Sequence, residues 1–271
     1  MIEWLLEPLT YGFMQRGLAA SVMVGILCAV MGTYVVLRGM AFLGDAMAHA
    51  ILPGIAIAYI LDGSLLIGAI AAAGAVALGI GYISRSGNLK EDTAIGILFA
   101  AALSLGVALI STMQTYAVDL SHILFGNVLG VSPSDLWLTA ILGMGILLTV
   151  GLLYKQFLVI SFYPVLAATL RLPAELLRYV MLLLLALTVV VSLQTVGVGL
   201  SSAMLVTPAA TAYLLTRRLW PMMLVSALIG ALSSIVGLYL SYYLNIASGA
   251  AIVLTATTFF LFAFIWRKMK R

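Results

Sequence analysis

The sequence predicts an all-α, polytopic integral membrane protein with about eight or nine transmembrane helices, and three observations carry that prediction. Of its 271 residues 64% are hydrophobic and only 8% are charged, about a third of the charged share of a soluble domain. Several apolar runs reach the ~20 residues that a helix needs to cross a bilayer, and the short alternating segments of a membrane β-barrel are absent. The basic residues behind the net charge of +4 sit in short connections between those runs. They therefore report membrane orientation and argue against nucleic-acid binding. One transmembrane domain over residues 1–271 is expected.

Taken in order, residues 1–12, with Glu3, Trp4, Glu7 and Pro8, read as a short interfacial segment. They lack the basic start of a cleavable signal. The first span is expected at 13–37, with the single cysteine, Cys28, as a small packing residue. The second covers about 39–61 and the third 65–84, after the turn Asp62-Gly63-Ser64. In the third, Gly68 with Ala72 and Ala75 with Gly79 place small residues four apart, a spacing that lets helices approach closely. A polar loop (85–92) precedes a fourth span at 93–113. Residues 114–134 are interrupted by Gly126, Gly130 and Pro133 and read as a short surface or re-entrant piece. Further spans are expected at 135–154, 179–194, 196–215, 220–243 and 248–266. The polar, kinked span at 196–215, with Ser201, Ser202, Thr207 and Pro208, suits a bundle interior or a path better than lipid.

With nine alternating spans, 12 basic residues in and beside the loops fall on one side and only Arg16 on the other. The basic side is cytoplasmic by the positive-inside rule. The outer side holds Glu3, Glu7, Asp62, Asp119 and Asp135, a mildly acidic face suited to receiving cations.

The second span carries the main candidate site. Asp45 and His49 stand four residues apart, so a helix brings them onto one face. Ionisable residues within a membrane span are rare and mark function by default, and a carboxylate with an imidazole suits a divalent transition metal. Pro53 has no N–H to offer the carbonyl of His49, which adds a potential oxygen ligand and a break in the helix. The structural alternative is a pair that hydrogen-bonds neighbouring helices beside an ordinary kink. A second pair, Asp119 and His122, lies on the outer side. It reads either as a contact for an incoming cation or as ordinary polarity of a surface helix. Glu91-Asp92 opens a helix, where acids offset the macrodipole.

No Gly-x4-Gly-Lys-Ser/Thr loop occurs, so any ATP hydrolysis belongs to another chain. There is no His-Glu-x-x-His and no Gly-x-Ser-x-Gly, and a serine protease built from His122 with Ser201 or Ser202 has no motif behind it. The chain therefore reads as a transport permease rather than an enzyme, with no permanently bound cofactor. The longest loop, 155–178, carries Phe157, Leu158, Phe162, Tyr163, Val165 and Leu166. So apolar a stretch is expected to be buried as a short helix against a partner protein.

These motifs resemble those of the permease subunits of zinc/manganese/iron ABC importers. The resemblance runs end to end. It is carried by the stretch from Arg38 through Asp45, His49 and Pro53 to Gly54, by Glu91-Asp92-Thr93-Ala94-Ile95-Gly96-Ile97, and by Leu124-Phe125-Gly126-Asn127. Leu205-Val206-Thr207-Pro208-Ala209-Ala210-Thr211-Ala212 and Ser248-Gly249-Ala250 extend it. It implies a bacterial plasma-membrane permease working with a second copy of itself, cytoplasmic ATPase subunits and an extracytoplasmic metal-binding protein. It further implies that Asp45 and His49 ligate the transported ion. Pro53 looks like the manganese and iron branch, so Mn²⁺ is the expected cargo, with Zn²⁺ or Fe²⁺ as alternatives and a proton-coupled secondary transporter as the rival. The chain departs from the pattern in the docking loop, where Phe162-Tyr163-Pro164-Val165 lacks the usual two acids and Arg171 replaces a common glycine. It departs again at Asn245 and Ala247, where Asp and Pro are frequent.

Overall fold

The computed structural model describes residues 7–85, 90–112, 128–162, 167 and 169–270. Among them the regular structure is helical: α1 (Gly12–Leu37), α2 (Leu43–Ala50), α3 (Leu52–Ile60), α4 (Leu65–Arg85), α5 (Glu91–Ser111), α6 (Pro133–Leu152), α7 (Tyr154–Phe162), α8 (Ala174–Val196), α9 (Val198–Leu215), α10 (Leu219–Leu244) and α11 (Ser248–Met269). Taking α2 and α3 as one broken span, nine stretches among the described residues are long and apolar enough to cross a membrane. The main shift from expectation is at α8, which starts at Ala174. Pro173, barred from a helix interior but suited to its start, accepts the N–H of Leu177 on its carbonyl at 3.0 Å. Glu175 and Arg178, expected in the loop, therefore belong to the first turns of a span.

The helices fall into two compact units. The first comprises Met1–Val36, His122–Gly145 and Val191–Arg271. Its spine is α1, most of which is buried. α1 meets α10 where a Cβ on Gly25 would stand 2.8 Å from the Ser234 hydroxyl and 2.9 Å from the Gly230 carbonyl oxygen. Hydroxyls stitch the same crossing: Ser226 donates to the Ala29 carbonyl at 2.8 Å and Ser234 to that of Ser21 at 2.9 Å. With lipid as solvent, burial of apolar surface does not drive helices together, so close packing of small residues and such hydrogen bonds do. Between α8 and α9 the chain turns on Gly197 alone, at φ 84°, a left-handed conformation that a Cβ disfavours. The corner is closed by a hydroxyl–hydroxyl hydrogen bond between Ser192 and Ser201. Cys28, buried as a packing residue, lies against these two serines.

The second unit comprises Leu37–Ser121 and Ile146–Val190. α3 and α4 cross at Gly54 and Gly68, each against the backbone carbonyl of the other. A Cβ on Gly54 would also stand 2.6 Å from that of Ala72, so the small-residue spacing read in the third span is a packing seam. The expected turn at Asp62-Gly63 closes α3, with Asp62 at φ 50° and the Gly63 N–H on the Ala58 carbonyl at 2.8 Å. α5 packs over α3 at Gly106, where a Cβ would lie 2.8 Å from the Leu52 side chain.

Candidate metal site

The one-residue break between α2 and α3 shapes the site. Pro53 interrupts the hydrogen-bond ladder, so α2 ends at Ala50 and α3 starts at Leu52, with Ile51 between them still near helical geometry (φ −80°, ψ −15°). The expected free carbonyl on His49 is not left wholly open. The N–H of Ile51 turns back onto it, which takes up one of its two lone pairs.

Asp45 and His49 do share a face of α2. His49 Nε2 lies 3.8 Å from Asp45 Oδ1, and the side chains are 31% and 44% exposed, respectively. The rest of the helix explains why this face is free: Leu43, Gly44, Ala46, Met47, Ala48 and Ala50 are all buried. The pair is thus held on a packed support with its polar atoms open. Asp45 falls in the first turn of α2, where the helix dipole favours a carboxylate. Phe99 on α5 walls one side of the site, 6.0 Å from the His49 ring and 5.4 Å from Phe42, which it meets edge-on. Sequence periodicity gives no hint of Phe99, which reaches the pair only through the packing of α5 on α2. At 1.5 Å per residue, Asp45 and His49 lie about 3 and 9 Å from the Leu43 end of their span. The pair therefore occupies the half of the span next to the basic connection at Arg38.

That connection is itself anchored. Glu91 Oε1 lies 2.6 Å from Arg178 Nε and 3.5 Å from Arg38 Nη2. Arg178 also donates to the Ser84 hydroxyl, and Arg38 reaches Met181 Sδ at 3.7 Å. One carboxylate at the start of α5 thereby ties together the entry to α2, the end of α4 and the start of α8. Burial pulls the Arg38 guanidinium below its ordinary pKa; Glu91 opposes that pull and Arg178 adds to it. Glu91 does stand in the first turn of a helix, as expected, but its two arginine partners come from distant stretches of chain. The available signal was three ionisable residues, Arg38, Glu91 and Arg178, each at the edge of a separate span on the same side.

Among the described residues no three His, Cys, Asp or Glu side chains come together as a metal cage; Asp45 and His49 stand as a pair. Asp119 and His122 lie outside the described residues, as do 163–166 of the expected docking loop. What is described of that loop includes α7, a short helix with Phe157 buried, and the first turns of α8.

Apolar spans with an ionisable pair inside a broken helix define a class, the helical membrane transport proteins. The chain belongs to the ABC 3 transport family, whose model matches residues 10–267, and it is a multi-pass plasma-membrane protein. It is 49% identical over 260 residues to the "Manganese transport system membrane protein MntC" of Halalkalibacterium halodurans, covering 96% of this chain and 89% of that one. It is 40% identical over 270 residues to a "Probable iron transport system membrane protein" of Haemophilus influenzae, covering 100% of this chain and 99% of that one. Among solved structures, "PsaBC from Streptococcus pneumoniae in complex with Fab" contains a chain 42% identical, with a TM-score of 0.85, covering 97% of this chain and 95% of that chain.

Proposed function

We propose that this protein is the membrane-spanning permease of an ABC importer for a divalent transition metal, manganese, and that Asp45 and His49 are its ligands to the ion in transit. The observation that carries the proposal is an open carboxylate–imidazole pair on a packed helix inside a broken span, in a chain about half identical to a manganese transport protein. A mixed oxygen and nitrogen donor set suits Mn²⁺ or Fe²⁺ and excludes a soft thiolate-type site. The likeness to an iron transport protein keeps Fe²⁺ as the second cargo, with Zn²⁺ behind it.

The ion passes through rather than stays, so binding must be tight enough to draw it from water and weak enough to release it. Two side chains from one copy supply half of a four-ligand site, and a second copy with its own Asp45 and His49 supplies the rest. The carboxylates offset the ion's charge in the low-dielectric span, and the neutral imidazoles add directional ligands without over-binding it. An extracytoplasmic metal-binding protein delivers the ion to the outer side. ATP is hydrolysed on separate cytoplasmic subunits, which dock on the 155–178 region, where α7 and the start of α8 lie. Phe162-Tyr163-Pro164-Val165 brings no acid to that docking, so the charge contacts of the region rest on residues such as Lys155, Arg171 and Glu175.

The test is reconstitution of the whole complex in sealed vesicles with radiolabelled Mn²⁺. ATP-dependent accumulation supports the reading. Accumulation driven by a proton gradient without ATP would replace it with a secondary transporter.

A further inference from the structure

At the basic end of the first unit, α9, α10 and α11 enclose a groove of about 460 Å³. Its walls include Thr211, Leu215, Leu232, Phe262, Trp266 and Met269. Leu232, Phe262, Trp266 and Met269 are half-exposed or more. Thr211 adds no free polar atom, because its hydroxyl is already bonded to the Thr207 carbonyl at 2.7 Å. Along α11 the groove runs from Phe259 to Met269, about 15 Å at 1.5 Å per residue. That is half of a ~30 Å hydrocarbon core, the depth of a single leaflet.

The mouth of the groove is charged in one sense only. Arg217 and Arg218 are exposed in the connection between α9 and α10, and Lys268 and Lys270 are exposed at the end of α11. The Lys270 ammonium sits 4.8 Å over the Trp266 ring, which places a cation directly above the apolar wall. Among the described residues no carboxylate pairs with any of these four, and residues 176–271 contain seven basic side chains and no acidic one. Such a mouth has nothing to offer the ammonium of a zwitterionic headgroup, whereas a lone phosphate finds several donors. Basic pockets between transmembrane helices at the cytoplasmic side are sites for anionic lipid heads.

We infer that this groove is a binding site for an anionic phospholipid of the cytoplasmic leaflet: an acyl chain lies against Phe262, Trp266 and Leu232, and the phosphate sits between the Arg217–Arg218 turn and the Lys268–Lys270 tail. The site belongs to one unit, lies outside the ion-handling pair, and stands whether or not the cargo is manganese.

Trp266 is a built-in reporter. The full-length chain, with Trp4, Trp137 and Trp220 changed to Phe, is placed in nanodiscs of phosphatidylcholine. These are doped with acyl-brominated phosphatidylglycerol or, at equal mole fraction, acyl-brominated phosphatidylcholine, and Trp266 quenching is read. Quenching by the anionic lipid is expected at a mole fraction about two orders of magnitude lower than by the zwitterionic one. Each basic residue near a membrane surface is worth about fivefold in affinity for anionic lipid. Arg217→Gln with Arg218→Gln therefore reduces the preference by an order of magnitude or more, and Lys268→Gln with Lys270→Gln, away from the interhelical turn, does the same. Equal quenching by both lipids would mean ordinary annular lipid and would overturn the site. Quenching by neither would mean that a protein surface, such as a second copy, covers the groove, and would overturn it as well.

Discussion

Replacing Glu91 with Gln removes one carboxylate and leaves two arginines facing each other. In the native cluster the side chains of Arg38, Glu91 and Arg178 are 16%, 19% and 22% exposed, so the charges are largely withdrawn from solvent. At an effective dielectric of about 20, contacts of 2.6 and 3.5 Å correspond to gross attractions of about 6 and 5 kcal/mol. Desolvation cancels most of that, yet deleting one partner of a buried pair destabilises by about 3–5 kcal/mol because the remaining charge is stranded. Scaling for partial exposure leaves about 2–3 kcal/mol for Glu91→Gln. Cys28 supplies the assay, since it is the only cysteine of the chain and is buried. A thiol-reactive fluorophore therefore lights up only on unfolding, and Tm is expected to fall by about 5–10 °C. Adding Arg38→Met to Glu91→Gln should recover part of the loss by lifting the like-charge repulsion. An unchanged Tm in the single variant, or a further additive loss in the double variant, would refute the view that Glu91 holds the segment leading into α2.

Two packing predictions can be read in the same melt. Gly54→Ala pushes a methyl into the backbone of Gly68 and the side chain of Ala72; overpacking of this kind destabilises by about 1–3 kcal/mol, whereas Gly145→Ala, which meets nothing within 4 Å, leaves Tm unchanged or slightly raised. A native-like melt for Gly54→Ala would show that the α3–α4 seam yields freely. Arg171 occupies φ 50°, a left-handed conformation that costs an L-residue about 1–2 kcal/mol. Arg171→Gly is therefore expected to raise stability by about 1 kcal/mol, and a lower Tm would mean that the arginine side chain makes a contact worth more than the strain.

What could be read from the chain alone was mostly local. The turn at Asp62-Gly63, the Pro53 break and the alternation of apolar runs with polar loops are written in consecutive residues, so span limits came within a few positions. The start of α8 was the exception: Pro173 was expected to close a short helical piece inside the 155–178 loop, whereas it opens the long helix. Asp45 and His49 were legible because four-residue spacing converts directly into adjacency on a helix. The fate of the His49 carbonyl was not, because the Ile51 N–H that engages it follows from how the chain negotiates the break. Nor was the anchor beneath the site, since residues 38, 91 and 178 are joined by packing of separate helices and carry no shared periodic signal. Phe99 is hidden for the same reason.

The central claim is that Asp45 and His49 handle the transported ion, and uptake tests it most directly. Radiolabelled Mn²⁺ and Zn²⁺ uptake is compared in cells carrying the complete system with the native chain, Asp45→Ala or His49→Ala, alongside the Cys28 melt to show that each variant is folded. Asp45 and His49 are partly exposed on a helix whose other residues form the core, so native-like melting and loss of Mn²⁺ uptake are expected in both variants. Folded variants that both retain native Mn²⁺ uptake would contradict it and make the pair structural.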